Sequence, residues 1–66
     1  MNDYETKLTS VKILTDLYKK FKRLSINDEF TLQKLVNRSM KKYVNESEYK
    51  TLITEYNELQ SSGSNF

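Results

Sequence analysis

One stretch of this 66-residue chain alternates, and the rest of the chain does not. Residues 8–14 read LTSVKIL, with Thr9, Val11 and Ile13 on one side and Leu8, Ser10 and Lys12 on the other. That period of two marks a half-buried β-strand. A single strand leaves its backbone N–H and C=O groups without partners, which folded proteins seldom accept. The sequence therefore predicts a second copy of the chain, its strand antiparallel to the first about a two-fold axis. A two-stranded ribbon needs one face covered to be stable. Val11 and Ile13, with Thr9, are expected to supply that face and to pack on Leu17, Phe21, Leu35 and Val36 of both chains.

Size points the same way. A chain of 66 residues is one small domain, near the limit at which a single core is stable alone. Oligomerisation is a usual remedy, and the others are closed. With no Cys there is neither a disulfide nor a thiolate metal site, and with no His the commonest metal ligand and general base is missing. There is no Gly-rich phosphate loop and no carboxylate pair on an apolar framework. An enzyme is not expected, nor a cofactor, a metal or a catalytic residue. No apolar run reaches the length of a membrane span and no signal peptide is visible, so the expectation is a soluble, cytoplasmic protein.

The formal net charge of +2 conceals an asymmetry. From Lys7 to Lys42, ten basic residues face only Asp16, Asp28 and Glu29, a local balance of +7. Residues 1–6 carry −2, and from Tyr43 onward Lys50 stands against four glutamates, giving −3. A basic body with acidic ends suits a polyanionic partner. The same charges also suit solvated helix faces.

Along the chain, 1–7 reads as a flexible arm and 8–14 as the strand. Thr15 and Asp16 offer N-caps for a first helix, with Leu17, Phe21 and Leu24 on one face, ending near Ile26. Asn27, Asp28 and Glu29 form a short connection. Thr31 caps a second helix whose apolar stripe is Leu32, Leu35, Val36, Met40 and Tyr43, with small Ser39 among them. A third amphipathic segment over 46–60 carries Tyr49, Leu52, Ile53, Tyr56 and Leu59, with Asn45 or Ser47 as its cap. Residues 61–66 read as a disordered tail.

The run from Ser10 to Val44, SVKILTDLYKKFKRLSINDEFTLQKLVNRSMKKYV, resembles the ribbon-helix-helix family of DNA-binding repressors, of the Arc, MetJ and CopG type. The resemblance covers about half the chain and rests on pattern more than on any invariant motif. It implies a mainly α fold with one short strand: an intertwined homodimer built on a two-stranded antiparallel β-ribbon, with the domain over 8–45 and the third helix added. Val11, Ile13, Leu17, Phe21, Leu35, Val36, Met40 and Tyr43 would form the dimer core.

The resemblance also implies a function, sequence-specific binding of double-stranded DNA with the ribbon in the major groove, where each base pair shows a distinct pattern. The readers would be the outward residues. Lys12 can donate to guanine O6 and N7, and Ser10 can donate or accept. Leu8 stands where the family usually places a polar residue; it would touch a thymine methyl, or Lys7 would reach in instead. The amino end of the second helix would hold a phosphate through the Thr31 hydroxyl and the amides of Thr31 and Leu32, helped by Gln33 or Lys34. The Gly common in the preceding turn is absent here. Lys19, Lys20, Lys22 and Arg23 on the first helix would add attraction to flanking phosphate or serve as a solvated face.

A transcriptional repressor of phage, plasmid or prokaryotic style is the leading expectation, with higher-order assembly on tandem sites left open. An antitoxin-like or inhibitor module, taking a protein partner at the C-terminal helix, is the rival. A plasmid segregation or conjugation accessory protein would use the same domain.

Overall fold

The computed structural model describes residues 5–66, and these are helical wherever they are regular. Three α-helices succeed one another: α1 at Thr15–Ser25, α2 at Leu32–Asn45 and α3 at Ser47–Thr54. Short 3-10 turns lie at Ile26–Asp28 and Gln60–Ser62. Of the arm expected over 1–7, residues 1–4 lie outside the described residues, and 5–7 are exposed and irregular.

The expected ribbon-helix-helix fold is corrected at its first element. Among the described residues there is no β-strand, and 8–14 carry no regular structure. The reason is the one that makes the strand odd in the sequence. Alternation fixes which side chains share a face, but a strand exists only when a second backbone completes its ladder. The α-helices spend their backbone groups internally, so none of them is left to pair with 8–14. Leu8 is fully exposed, and Val11 is 72% exposed rather than laid over the helices.

Leu14 stands at the N-cap position just before α1, in a non-helical conformation, and its carbonyl accepts from the Tyr18 N–H at 2.9 Å. Thr15 and Asp16, the expected caps, fall inside the first turn instead, where the Asp16 carboxylate suits the positive end of the helix dipole. Lys22 and Arg23 occupy the last turn, the favourable end for cations. The chain then tightens through Ile26–Asp28 and reverses at Glu29, which is left-handed at φ 52°. The Phe30 N–H closes back onto the Ser25 carbonyl at 3.3 Å. That six-residue closure around a left-handed residue is a Schellman stop.

Thr31 caps α2 as its sequence predicts, its Oγ1 accepting from the Lys34 N–H at 3.1 Å. Phe30 before the cap and Leu35 in the first turn border one hollow, the arrangement of a hydrophobic staple that sets the entry angle of the chain. Phe30 also meets Phe21 of α1 edge to face, centroids 6.3 Å apart and planes at 65°. This aromatic pair is what joins α1 to α2.

Glu46 alone separates α2 from α3. Its N–H donates to the Lys42 carbonyl at 2.8 Å, while its own carbonyl accepts from the Lys50 N–H at 3.0 Å. One extended residue thus ends one helix and starts the next, so neither Asn45 nor Ser47 acts as the cap. α3 stops at Thr54, short of the 46–60 span that the apolar spacing predicts. The Thr54 hydroxyl bonds back to the carbonyls of Lys50 (2.9 Å) and Thr51 (3.2 Å). Beyond it, 60–66 form successive turns, with Gly63 at φ 129° and the Phe66 N–H bonded to the Gly63 carbonyl at 3.2 Å.

These elements make a corner and an elbow without an enclosed interior. Among the described residues, none twelve or more positions apart bring their Cα atoms within 8 Å. No apolar side chain among them is buried; only Ser25 is, under the α1–α2 corner. The radius of gyration is 13.9 Å, against roughly 11 Å for a compact chain of this length.

Candidate nucleic-acid interface

The basic residues sort onto faces once the helices are in place. On α2, Lys34, Arg38 and Lys41 recur at i, i+4 and i+7, on the side turned away from Leu32, Val36, Ser39 and Tyr43. On α1, Lys19 and Arg23 lie four apart, opposite Leu17, Phe21 and Leu24. All five basic side chains are exposed.

Two of the α2 cations are held in place. The Arg38 guanidinium lies 5.1 Å from the centroid of Phe30, a stacking position that fixes the group yet leaves its edge free to donate. Lys34 Nζ reaches the Glu29 carbonyl at 3.5 Å, so this amine is drawn toward the turn. The turn also carries Asp28 and Glu29, whose charges oppose a phosphate there. The Thr31 hydroxyl oxygen serves as the cap, and its own hydrogen remains able to donate. Leu32 is half-buried, and the Gln33 carbonyl accepts from Asn37 Nδ2 at 2.8 Å. The first amides of α2 have no partner within the helix, as at any helix start.

The expected base-reading residues Leu8, Ser10 and Lys12, and Lys7 beside them, are exposed on the irregular segment and not on a ribbon. The residues expected in a dimer core are brought together only in part. Phe21 and Leu35 border one open apolar hollow of about 360 Å³ with Leu24 and Phe30. Leu35, Val36, Met40 and Tyr43 border a second, of about 420 Å³, closed on its far side by Tyr49 and Ile53 of α3. Val11, Ile13 and Leu17 remain exposed outside both.

Three residues that sequence reasoning misses matter here. Phe30 sits in a turn, where apolar periodicity does not look, although an aromatic directly before a Thr cap is the signal for a staple. Arg38 and Lys41 are legible as a continuation of the Lys34 spacing on the polar side of the α2 stripe. Further along, the Tyr56 hydroxyl is pushed above its ordinary pKa by its hydrogen bond with Glu58, and next by that carboxylate's charge. Among the described residues no cluster of acidic side chains could hold a metal ion. No helix there is long and apolar enough to cross a membrane.

Comparison with family models, with curated proteins and with solved structures found no match to this chain.

Proposed function

We propose that this chain binds double-stranded DNA and acts as a transcriptional repressor, gripping the duplex through its phosphates. The observation that carries this reading is the placement of charge. Ten of the eleven basic residues lie between Lys7 and Lys42, and on α2 three of them form one exposed stripe on the face opposite the apolar one. Such a stripe tracks a phosphate backbone, and each phosphate it neutralises releases counterions, which drives binding. The irregular segment before α1 then serves as a basic arm. Lys12 can donate to guanine O6 and N7, Ser10 can donate to an acceptor edge or accept from a donor edge, and Lys7 pairs with phosphate. Arms of this kind reach grooves that a helix does not enter.

Fluorescence anisotropy with a labelled random duplex at two salt concentrations tests the reading. Wild type is expected to bind at low salt and to weaken steeply as salt rises. Replacing Lys34, Arg38 and Lys41 together by Gln should flatten the slope of log affinity against log salt by about 2–3, the share of three phosphate contacts. Lys12→Ala should lower affinity for a selected site more than for random duplex. A wild-type protein that fails to bind at low salt overturns the proposal.

A further inference from the structure

The three cations of the α2 stripe are not held alike. The Arg38 guanidinium lies 5.1 Å from the centroid of Phe30. Among the described residues no ion pair or hydrogen bond takes up its N–H groups. Lys34 is drawn to the Glu29 carbonyl, and Lys41 has neither a ring nor an ion-pair partner among those residues. Arg38 alone is both seated and free to donate. Resting on the DNA reading above, we propose that Phe30 is a positioning residue, which holds Arg38 as a preset fork for one phosphate of the duplex.

The seat is complete before any ligand arrives. Glu29 turns left-handed at φ 52°, and the Phe30 N–H closes onto the Ser25 carbonyl at 3.3 Å, which fixes the backbone that carries the ring. The Phe21 ring of α1 steadies Phe30 edge to face at 6.3 Å. Side chains on a helix lean toward its N-terminus, and this brings the Arg38 head back to a ring eight positions earlier. A guanidinium over an aromatic face keeps its donor fork, which matches two oxygens of a phosphate. The charge is not spent on Asp28 or Glu29, since among the described residues Lys42 and Glu46 make the one ion pair. A long side chain that grips a phosphate gives up rotamer freedom as it does so, a loss of roughly two- to tenfold in affinity. With Phe30 beneath it, Arg38 gives up most of that freedom on folding. Position and charge are therefore separable: removal of the ring leaves the charge, and lysine in place of Arg38 keeps the charge without the fork.

Anisotropy titrations of the whole chain against labelled random duplex, over a series of salt concentrations, read the two separately. Phe30→Leu should raise Kd about three- to fivefold at every salt concentration, with the slope of log affinity against log salt unchanged. Arg38→Lys should do the same. Arg38→Gln should flatten the slope by about 0.9, the share of one phosphate. In the Arg38→Gln background, Phe30→Leu should change Kd by less than about 1.5-fold, because the group it positions is gone. Phe30→Tyr keeps a ring and should restore most of the affinity that Phe30→Leu loses. Phe30→Leu also loosens the corner, and the double variant separates that effect: a loss through folding would appear equally in both backgrounds. Failure of wild type to bind at low salt overturns the DNA reading, and this inference with it. Wild-type binding that Phe30→Leu leaves unchanged, or lowers equally with and without Arg38, overturns the positioning role alone.

Discussion

The Lys42 amine of α2 lies over the Tyr49 ring of α3, 5.4 Å from its centroid. The relation is returned: Lys50 of α3 lies 6.0 Å from the centroid of Tyr43 on α2. The two helices thus clasp across the single residue Glu46, and Lys42 adds an ion pair to that residue at 3.6 Å. Both ends of the pair are about half exposed, so the ion pair is worth little by itself. The tyrosine rings are the better hold. In a double-mutant cycle, Lys42→Met and Tyr49→Leu should couple by about 0.5–1 kcal/mol, the range for an exposed cation–π pair. Hydrogen exchange of the α3 amides reads the same change as faster opening. A coupling indistinguishable from zero would show that α3 sits on α2 by apolar contact alone.

Phe30→Ala should loosen the α1–α2 corner more than its place in a turn suggests. The ring is half-buried, and its removal takes away the edge-to-face contact with Phe21 and the seat of the Arg38 guanidinium together. A cost of about 1–2 kcal/mol is expected, below that of a fully buried Phe because the site is open. The denaturant midpoint, at fixed protein concentration, measures it. Phe30→Leu keeps apolar bulk and should recover about half.

Glu29→Gly should stabilise the chain. Glu29 holds φ 52°, where a side chain is strained and Gly is not. Relief of about 0.5–1 kcal/mol is expected, reduced by the greater freedom that Gly gives the unfolded chain. The midpoint of thermal unfolding should rise by a few degrees. A fall would mean that the Glu29 side chain supplies something its geometry does not reveal.

Tyr56 gives a pH-dependent signal. Its folded pKa is raised, first by the hydrogen bond with Glu58, then by the charge on that carboxylate, then by burial. The neutral phenol is therefore the form favoured in the fold. Its contribution is fully present below the unfolded value of about 10 and is lost as pH rises through the folded value. Measured by tyrosinate absorbance, Glu58→Gln should move part of the titration to lower pH. An unchanged curve would remove Glu58 as the cause.

The helical part of the fold is legible in the sequence because its signals are local. Leu17, Phe21 and Leu24, then Leu32, Leu35, Val36, Met40 and Tyr43, declare two faces, and the Thr31 hydroxyl can cap only the helix that starts just after it. The strand is not legible, because alternation at Thr9, Val11 and Ile13 describes side chains, whereas a strand is a relation between two backbones. The apolar pattern overextends α3 because Tyr56 and Leu59 keep the spacing after Thr54 has turned its hydroxyl back on the helix. For the interface, Lys34 and the Thr31 cap can be read directly. Arg38 becomes visible as a held cation only when Phe30 is known to lie beneath it, and that depends on the left-handed turn at Glu29.

Among the described residues the contacts are all between near neighbours in sequence, and that has a consequence for time. Closing such short loops costs little entropy, so the corner and the elbow form on the microsecond scale of helices. The corner and the elbow share no contact between distant residues among those described, so each can open while the other stays closed.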